Sequence, residues 1–253
     1  MTVLKASRSQ VTLGMGKPIR ALPAPTWVRP SDWLTLTAPG VAEQKFVGLI
    51  AVFNQTSNYI ALRCATSAGT YTVDWGDGTS PVTVTSGTTA EYNYAWSSIG
   101  SGTLTTFGYR QAVVTITPTT GGATFSEVML NFRHTARTSS VTVAPWLDIA
   151  IAAPNATVIQ MCHSNDGEKF VAMNFLQQVI IVAHNTTFTS YLFWTLRSLQ
   201  SVPLFNTAAV TEMANMFHTC SSLQTVPLFN TGNVTTMNAM FQRLLLTTNS
   251  SFV

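Results

Sequence analysis

The sequence predicts a mainly β protein with three parts: an extended N-terminal arm, a β-sandwich and a repeat solenoid. Three observations support this order. Prolines interrupt the first 45 residues, short runs rich in Val, Ile, Thr and Tyr follow, and a 24-residue repeat occupies the C-terminal part. The predicted boundaries are residues 1–45, 46–120 and 121–253, and we expect the last two parts to abut without a flexible linker.

Residues 1–45 are predicted to form a docking arm. Prolines exclude long helices here, because proline lacks a backbone N–H and biases the residue before it to extended conformations. Bulky apolar side chains in the same stretch favour packing against a protein surface. We favour docking on a partner subunit, and packing against the arm's own chain is the equal alternative. The docking residues are Trp27, Trp33, Leu34 and Leu36.

From residue 46 the pattern changes to short β-type runs separated by clusters of Gly, Asn, Ser and Pro. This spacing is typical of a β-sandwich. The predicted strands are Phe46–Phe53, Tyr59–Cys64, Tyr71–Trp75, Val82–Val84, Glu91–Tyr94 and Ala112–Thr117.

The sharpest local motif is a tight turn between two of these runs, formed by Asp74, Trp75, Gly76, Asp77 and Gly78. Asp-Gly is a strong turn signal between apolar strands. The stretch resembles the PKD domain, an immunoglobulin-like sandwich whose hallmark is Trp-Gly-Asp-Gly. Tyr92-Asn93-Tyr94 lies near that family's His-x-Tyr, with Tyr92 in place of the histidine. The resemblance covers roughly residues 58–118 and implies a PKD-like fold.

The two aspartates of this turn also suggest a calcium site. Calcium takes six to eight oxygen ligands, and an EF-hand-type loop would continue to a distal Glu that is missing here. Asx hydrogen bonds within the turn explain both aspartates with fewer requirements. We therefore predict a structural role for Asp74 and Asp77 and no metal site.

A 24-residue segment occurs twice, as residues 199–222 and 223–246. A period of about 20–29 residues carried by apolar side chains is typical of a leucine-rich-repeat solenoid, because one unit cannot bury its apolar side alone. We expect the four methionines to fill the core and Phe193, Phe217 and Phe241 to stack. The repeat residues are Leu199, Val202, Leu204, Met213, Met216 and Phe217, then Leu223, Val226, Leu228, Met237, Met240 and Phe241.

The repeat has the sequence pattern Leu-x-x-Val-Pro-Leu-Phe-Asn-Thr, followed by Asn-Val-Thr-x-Met and Met-Phe. This pattern resembles the BspA-type leucine-rich repeat of bacterial surface proteins and some phage virion proteins. A Cys usually follows the Met-Phe pair in that family. Cys220 fits this pattern, whereas Leu196 and Leu244 stand at the equivalent places. The departure predicts an imperfect ladder of turns.

The composition argues against an enzyme. Charged residues are 9% of the chain, against roughly 25% in average soluble domains, and a net charge of +3 does not favour nucleic acid. Cys64, Cys162 and Cys220 lack zinc-ligand spacing and predict buried free thiols. Cys162 and His163 are adjacent, so on a strand their side chains point to opposite faces. We predict no catalytic residue, no cofactor and no metal.

Residues 1–20 lack the apolar region of a signal peptide, and no run approaches 18 apolar residues, so we expect neither secretion nor membrane insertion. The motifs together, with Pro30–Trp33 and Glu43–Leu49, are similar to structural proteins of tailed phages. The resemblance implies a virion component such as a tail, baseplate or capsid-attached fibre or decoration protein. Its expected partners are capsid, neck, tail or baseplate proteins, further copies of itself, and a host glycan or receptor. The alternative is a bacterial cell-surface adhesin or a binding module of a secreted protein.

Overall fold

The computed structural model describes residues 27–130, 132–137, 141–161 and 170–244. Within these ranges the chain forms twelve β-strands, two single-turn 3-10 helices (Trp96–Ser98 and Ser101–Thr103) and no α-helix. The prediction of a mainly β fold is confirmed. The strands are β1 Lys45–Val52, β2 Asn58–Thr66, β3 Thr70–Asp74, β4 Val82–Thr85, β5 Thr89–Tyr94, β6 Arg110–Pro118, β7 Phe125–Met129, β8 Val141–Val143, β9 Trp146–Ala152, β10 Val158–Gln160, β11 Phe170–Ala172 and β12 Gln178–Ala183.

These strands form two larger sheets and one small one. The first sheet has the order β12-β9-β1-β6-β3-β4, and the second has the order β10-β7-β2-β5. β1 pairs antiparallel with β6 on one side and β9 on the other, so that Phe46 lies opposite both Ile116 and Ile151. β12 runs parallel to β9, and β11 and β8 form the small parallel pair.

β1 is buried on both faces, which explains why its sequence is almost entirely apolar. Phe46 and Ile50 belong to the main core, which they share with Leu62 of the second sheet. Leu49 and Ala51 belong to a second, smaller cluster. The alternation follows from the two-residue period of a strand. β1 therefore joins two separate apolar layers.

Gly48 lies in the middle of β1, where glycine ordinarily weakens a strand. Trp146 of β9 lies across this position: a Cβ atom at residue 48 would come within 2.3 Å of the indole ring. The same ring makes an edge-to-face contact with Phe46, with 5.3 Å between the centroids. Close packing of β9 on β1 thus explains the glycine.

The six-stranded sheet draws strands from both sides of residue 121. β1, β3, β4 and β6 precede this position, whereas β9 and β12 follow it and continue the same ladder of hydrogen bonds. The main apolar core is also shared, since one contiguous cluster extends from Phe46 to Met240. The domain boundaries stay a prediction, and the sheet is continuous across the predicted division.

After β12 the chain forms irregular turns that stack on one another up to residue 244. Backbone hydrogen bonds join positions about one repeat length apart, and parallel bridges link Phe188, Glu212 and Thr236 in succession. The 24-residue period of the sequence is therefore also a period of hydrogen bonding. Examples are the bonds from Phe193 N–H to the Met216 carbonyl, from Phe217 N–H to Met240, and from Thr219 N–H to Gln242.

The three phenylalanines at the repeat period lie one above another. The ring centroids of Phe193 and Phe217 are 5.2 Å apart with an angle of 18° between the planes. Those of Phe217 and Phe241 are 5.9 Å apart with an angle of 4°. The predicted stacking of these residues is confirmed.

Candidate functional site

Both aspartates of the turn after β3 accept hydrogen bonds from groups within the same turn. Asp74 Oδ1 accepts a hydrogen bond from the Gly76 N–H at 2.9 Å. Asp77 Oδ1 accepts from the N–H and the hydroxyl of Thr79 at 3.1 and 2.7 Å. These are Asx-type hydrogen bonds, and the predicted turn-stabilising role of the two aspartates is confirmed.

Two tyrosines of β5 hold the rest of the turn. Trp75 is buried and stacks on Tyr92 with 5.0 Å between ring centroids, and the Tyr94 hydroxyl donates to the Trp75 carbonyl oxygen at 2.7 Å. The Tyr92 hydroxyl donates to Asp77 Oδ2. Burial would raise the pKa of Asp77, but the hydrogen bonds from Tyr92 and Thr79 outweigh it and lower this pKa. Both carboxylate oxygens of Asp77 are thus engaged within the chain.

Gly76 is required for two reasons. Its φ is +72°, which disfavours any residue with a Cβ atom, and a Cβ there would come within 2.2 Å of the Val113 carbonyl oxygen. The motif therefore serves the packing of the turn against β6. Among the described residues, no group of three or more His, Cys, Asp or Glu side chains is placed to hold a metal ion.

The N-terminal arm, described from residue 27, lies on the sheet face opposite the main core. Trp33 is only 4% exposed, and its Nε1–H donates to the Tyr109 hydroxyl at 2.8 Å. The Leu34 N–H donates to Gln111 Oε1 at 2.9 Å. Together with Leu36, the arm covers the small apolar cluster that includes the outward side of β1.

An ion pair fastens the arm to β9. Arg29 Nε donates to Asp148 Oδ2 at 2.7 Å, and the other guanidinium nitrogens donate to the Trp33 and Leu34 carbonyl oxygens at 3.3 and 2.6 Å. Burial raises the pKa of Asp148, and the Arg29 guanidinium opposes this shift. Arg29 thus joins a bend of the arm to a buried carboxylate.

Trp27 reaches the stacked turns. Its backbone N–H donates to Gln224 Oε1 at 3.0 Å, and its ring N–H donates to Gln177 Oε1 at 3.1 Å. The described arm contacts its own chain, which is one of the two alternatives that the sequence leaves open. Docking on a partner subunit stays a prediction. The residues concerned are Trp27, Trp33, Leu34 and Leu36.

Sequence reasoning missed the partners of the arm. Arg29 and Asp148 are 119 residues apart, and Trp33 and Tyr109 are 76 residues apart. Neither pair shares a motif or a period, so no local signal could have linked them.

Most of the predicted repeat residues lie in the core. Leucines, methionines and a phenylalanine at the repeat period are buried, as a shared core between neighbouring turns requires. The buried residues are Leu199, Val202, Met213, Met216, Phe217, Leu223 and Met240, and Val226 and Phe241 are partly buried against them.

Three predicted repeat residues are exposed instead. Leu204 is 63% exposed, Leu228 81% and Met237 43%. The prediction that all four methionines fill the core is wrong for Met237, whereas Met240 on the same turn lies in the core. Met213 on the preceding turn is covered by that turn and donates its N–H to the Thr236 carbonyl oxygen.

The two exposed leucines alternate with buried phenylalanines, Phe205 and Phe229. Leu204 and Leu228 line a groove of about 510 Å³ together with Ile180 and Val182 of β12, and none of the groove's lining residues is charged. Sequence reasoning assigned these leucines to the repeat motif. The sequence signal that could have indicated their exposure is the Leu-Phe pair. Adjacent side chains point to opposite sides, so a buried phenylalanine leaves the neighbouring leucine on the surface.

His184 lies beside this groove. Its Nε2 lies 2.6 Å from the Asn206 carbonyl oxygen, and its Nδ1 accepts a hydrogen bond from the Thr186 N–H at 3.1 Å. These two partners fit the neutral imidazole with its proton on Nε2. Burial lowers the pKa of His184, and the bond to Asn206 opposes this shift. The ring is thus held neutral as part of the stacked turns.

Two of the three cysteines are buried and unpaired, Cys64 and Cys220. Burial raises the pKa of both thiols, that of Cys220 to about 12. The Cys220 thiol also donates to the Phe193 carbonyl oxygen at 2.8 Å. The prediction of buried free thiols is confirmed for these two residues. Cys162 and His163, which we rejected as a catalytic pair, lie outside the described residues.

The comparisons with known proteins concern mainly the stacked turns. Residues 182–250 match the profile of a family described as "Mycoplasma protein of unknown function, DUF285". This range contains both clear repeats and the groove leucines. Neither the curated proteins nor the solved structures gave a match. No helix within the described ranges is both long enough and apolar enough to cross a membrane.

Proposed function

We propose that this chain is a non-enzymatic structural protein of a phage virion, a tail, baseplate or capsid-attached fibre or decoration component. In this proposal a PKD-like β-sandwich is followed by a BspA-type leucine-rich-repeat solenoid. Three features support it: the motif resemblances, the mainly β fold, and the hydrogen bonds that recur at the repeat period. The N-terminal arm attaches to neighbouring virion proteins or to further copies of the chain.

One observation carries the proposal: the repeats present apolar side chains outward at a regular spacing. Leu204 and Leu228 occupy the same position in successive repeats, and both are exposed beside a groove without charged lining residues. Contiguous apolar surface rimmed by polar side chains is typical of a protein–protein interface. Asn206 and Asn230 supply the polar groups along this groove. The surface suits another virion subunit or a host receptor.

The titratable groups of the described residues support a structural role as well. Catalytic nucleophiles and bases need accessible groups with pKa values tuned to the reaction. Cys64 and Cys220 are buried thiols with raised pKa values, and burial lowers the pKa of His184, whose ring nitrogens are both engaged in hydrogen bonds. Each of these groups is engaged in packing.

The test is to locate the chain on particles purified from the source by cryo-electron microscopy. We expect density for the chain at symmetric positions, with the Leu204 and Leu228 face against a neighbouring subunit. A double substitution, Leu204→Ser with Leu228→Ser, should then reduce incorporation into particles at least tenfold. Leu104→Ser removes an exposed leucine outside the repeats and should leave incorporation unchanged. Particles that lack the chain would contradict the proposal.

A second candidate function is a bacterial surface adhesin or binding module. The match to a family described from Mycoplasma favours it, because that description names a bacterium. Fractionation of the source cells separates the two candidates. Recovery of the chain in the cell envelope and its absence from particles would support the adhesin.

A further inference from the structure

A pocket of about 440 Å³ opens where the loop after β1 meets the segment around Arg137. It shares no lining residue with the repeat groove and plays no part in the proposed function. Its lining residues combine aromatic rings, uncharged polar groups and one cation: Phe53, Gln55, Ser57, Arg137, Pro145 and Phe175.

The apolar wall of the pocket is a pair of phenylalanines. The ring centroids of Phe53 and Phe175 lie 5.4 Å apart at an angle of 44°, and Tyr109 makes an edge-to-face contact with Phe53, with 5.8 Å between the ring centroids. Phe175 is 38% exposed. Such a wall offers a ring-shaped ligand an apolar face to pack against.

The loop that carries the polar groups is fixed by Asn58. The Asn58 amide donates to the carbonyl oxygens of Phe53, Gln55 and Tyr94, and its oxygen accepts from the Phe53 N–H. The Gln55 amide oxygen and the Ser57 hydroxyl have no hydrogen-bond partner among the described residues. Both are exposed at the pocket mouth, where they remain available to a ligand.

Arg137 is the cation of the pocket. Its guanidinium lies over Tyr59 at 5.4 Å from the ring centroid. Arg29 and Arg63 pair with carboxylates, whereas Arg137 has no carboxylate within ion-pair distance in the part of the chain that the structure describes. Burial lowers the pKa of Arg137, and a partly desolvated guanidinium is stabilised by an anionic partner. Arg137 is half-buried, with Tyr59 against one face of its guanidinium.

We propose that this pocket binds an acidic sugar, a hexuronate unit being the simplest example. The ring packs on Phe53 and Phe175, the carboxylate pairs with Arg137, and the hydroxyl groups bond to Gln55 and Ser57. A planar guanidinium suits a carboxylate because it donates two parallel hydrogen bonds. The inference is independent of the proposed function, since either a virion or a surface protein can carry such a pocket.

The test is a titration of the full chain with glucuronate and with glucose, followed by NMR or calorimetry. The two sugars share a ring and differ in the carboxylate, so we expect glucuronate to bind at least tenfold more tightly. Arg137→Gln should abolish this preference. Arg243→Gln makes the same charge change on the last described turn, outside the pocket, and should preserve it.

Thermal unfolding of each variant verifies that it folds, and Phe175→Ala supplies a second variant, which should weaken both sugars alike. Equal binding of glucose and glucuronate, or binding of neither, would overturn the inference. Displacement of glucuronate by inorganic phosphate at equal concentration would also overturn it, because the pocket would then be a general anion site.

Discussion

Several residues in the stacked turns hold backbone conformations that ordinarily suit glycine. Among the described residues, positive φ angles at non-glycine positions form two series, each with a spacing of 24 residues. A left-handed conformation costs an L-residue other than glycine roughly 1–2 kcal/mol, and asparagine tolerates it best. The strain therefore belongs to the repeat itself. The first series is Tyr191, Asn215 and Ala239, and the second is Thr195, Thr219 and Arg243.

Ala239→Gly should stabilise the protein by about 1 kcal/mol, because Ala239 has a φ of +53° and glycine adopts this angle without steric cost. The measurement is the free energy of unfolding in urea. Ala209→Gly is the matched control, since Ala209 is an exposed turn alanine without a positive φ. It should destabilise the chain by several tenths of a kcal/mol. Equal effects of the two substitutions would contradict the assignment of strain to residue 239.

His184 should make the stability depend on pH. Its pKa is lower in the folded chain than in the unfolded one, whose value is about 6.5. The folded state therefore disfavours protonation of His184. The stability that the neutral imidazole contributes is fully present above pH 6.5 and is lost as the pH falls through the folded pKa. Protonation of Nδ1 also breaks its bond from the Thr186 N–H. Unfolding at a series of pH values should show a decline below pH 6.5 that His184→Gln removes. The same decline in the wild-type protein and in His184→Gln would show that other titratable groups cause it.

At the scale of elements, the arm acts as a cover for one face of a sheet. β1 and β9 carry apolar side chains on that face, and a strand buried on both sides needs a second layer. Trp33 supplies the largest part of that layer, and the Arg29–Asp148 pair fixes its position. The arm is therefore part of the folded unit from residue 27 onward.

Trp33→Ala should destabilise the protein by about 3 kcal/mol, because it removes a buried indole and leaves a cavity over β1. Trp33→Phe keeps most of the apolar contact but loses the hydrogen bond to Tyr109, so we expect a loss of about 1 kcal/mol. Chemical denaturation of the three proteins gives both values. Wild-type stability of Trp33→Ala would show that the arm is not part of the folded unit.

Strand positions were predictable because they depend on local alternation of apolar and polar residues. β1 lies within one residue of the predicted run Phe46–Phe53, and β6 contains the predicted run Ala112–Thr117. None of the predicted strands covers β9 or β12, because both lie after residue 120, in the part predicted to form the solenoid. Strand pairing was not predictable either. The contact of Trp146 with Gly48 joins residues almost 100 positions apart, and only the register of the assembled sheet creates it.

The candidate sites likewise divide into those set by local sequence and those created by contacts between distant residues. The Asp74–Gly78 turn is a local motif, and its hydrogen bonds follow from turn chemistry. The repeat groove follows partly from the sequence, since the period is visible and the outward direction of Leu204 and Leu228 is not. The pocket at Arg137 carries no sequence signal, because the loop after β1 and Phe175 meet only in the folded chain.

At the scale of the whole molecule, the shared sheet makes the two predicted parts depend on each other. β1 lies between β6, which precedes residue 121, and β9, which follows it. Without β9 the eight residues of β1 would become an open sheet edge. Phe46 would lose Trp146, and Arg29 would lose Asp148.

We therefore expect a fragment of residues 1–120 to lack cooperative unfolding, whereas the full chain should unfold in one transition. A fragment of residues 1–183 restores β9 and β12 and serves as the control, which should recover part of the cooperativity. Near-ultraviolet circular dichroism reports the packing of Trp75, Trp33 and Trp146, and amide hydrogen exchange reports protection along β1. If residues 1–120 fold alone with the stability of the full chain, then residue 121 is a true domain boundary. Loss of protection in β1 would instead show that the first part of the chain completes its sheet only with strands that follow it.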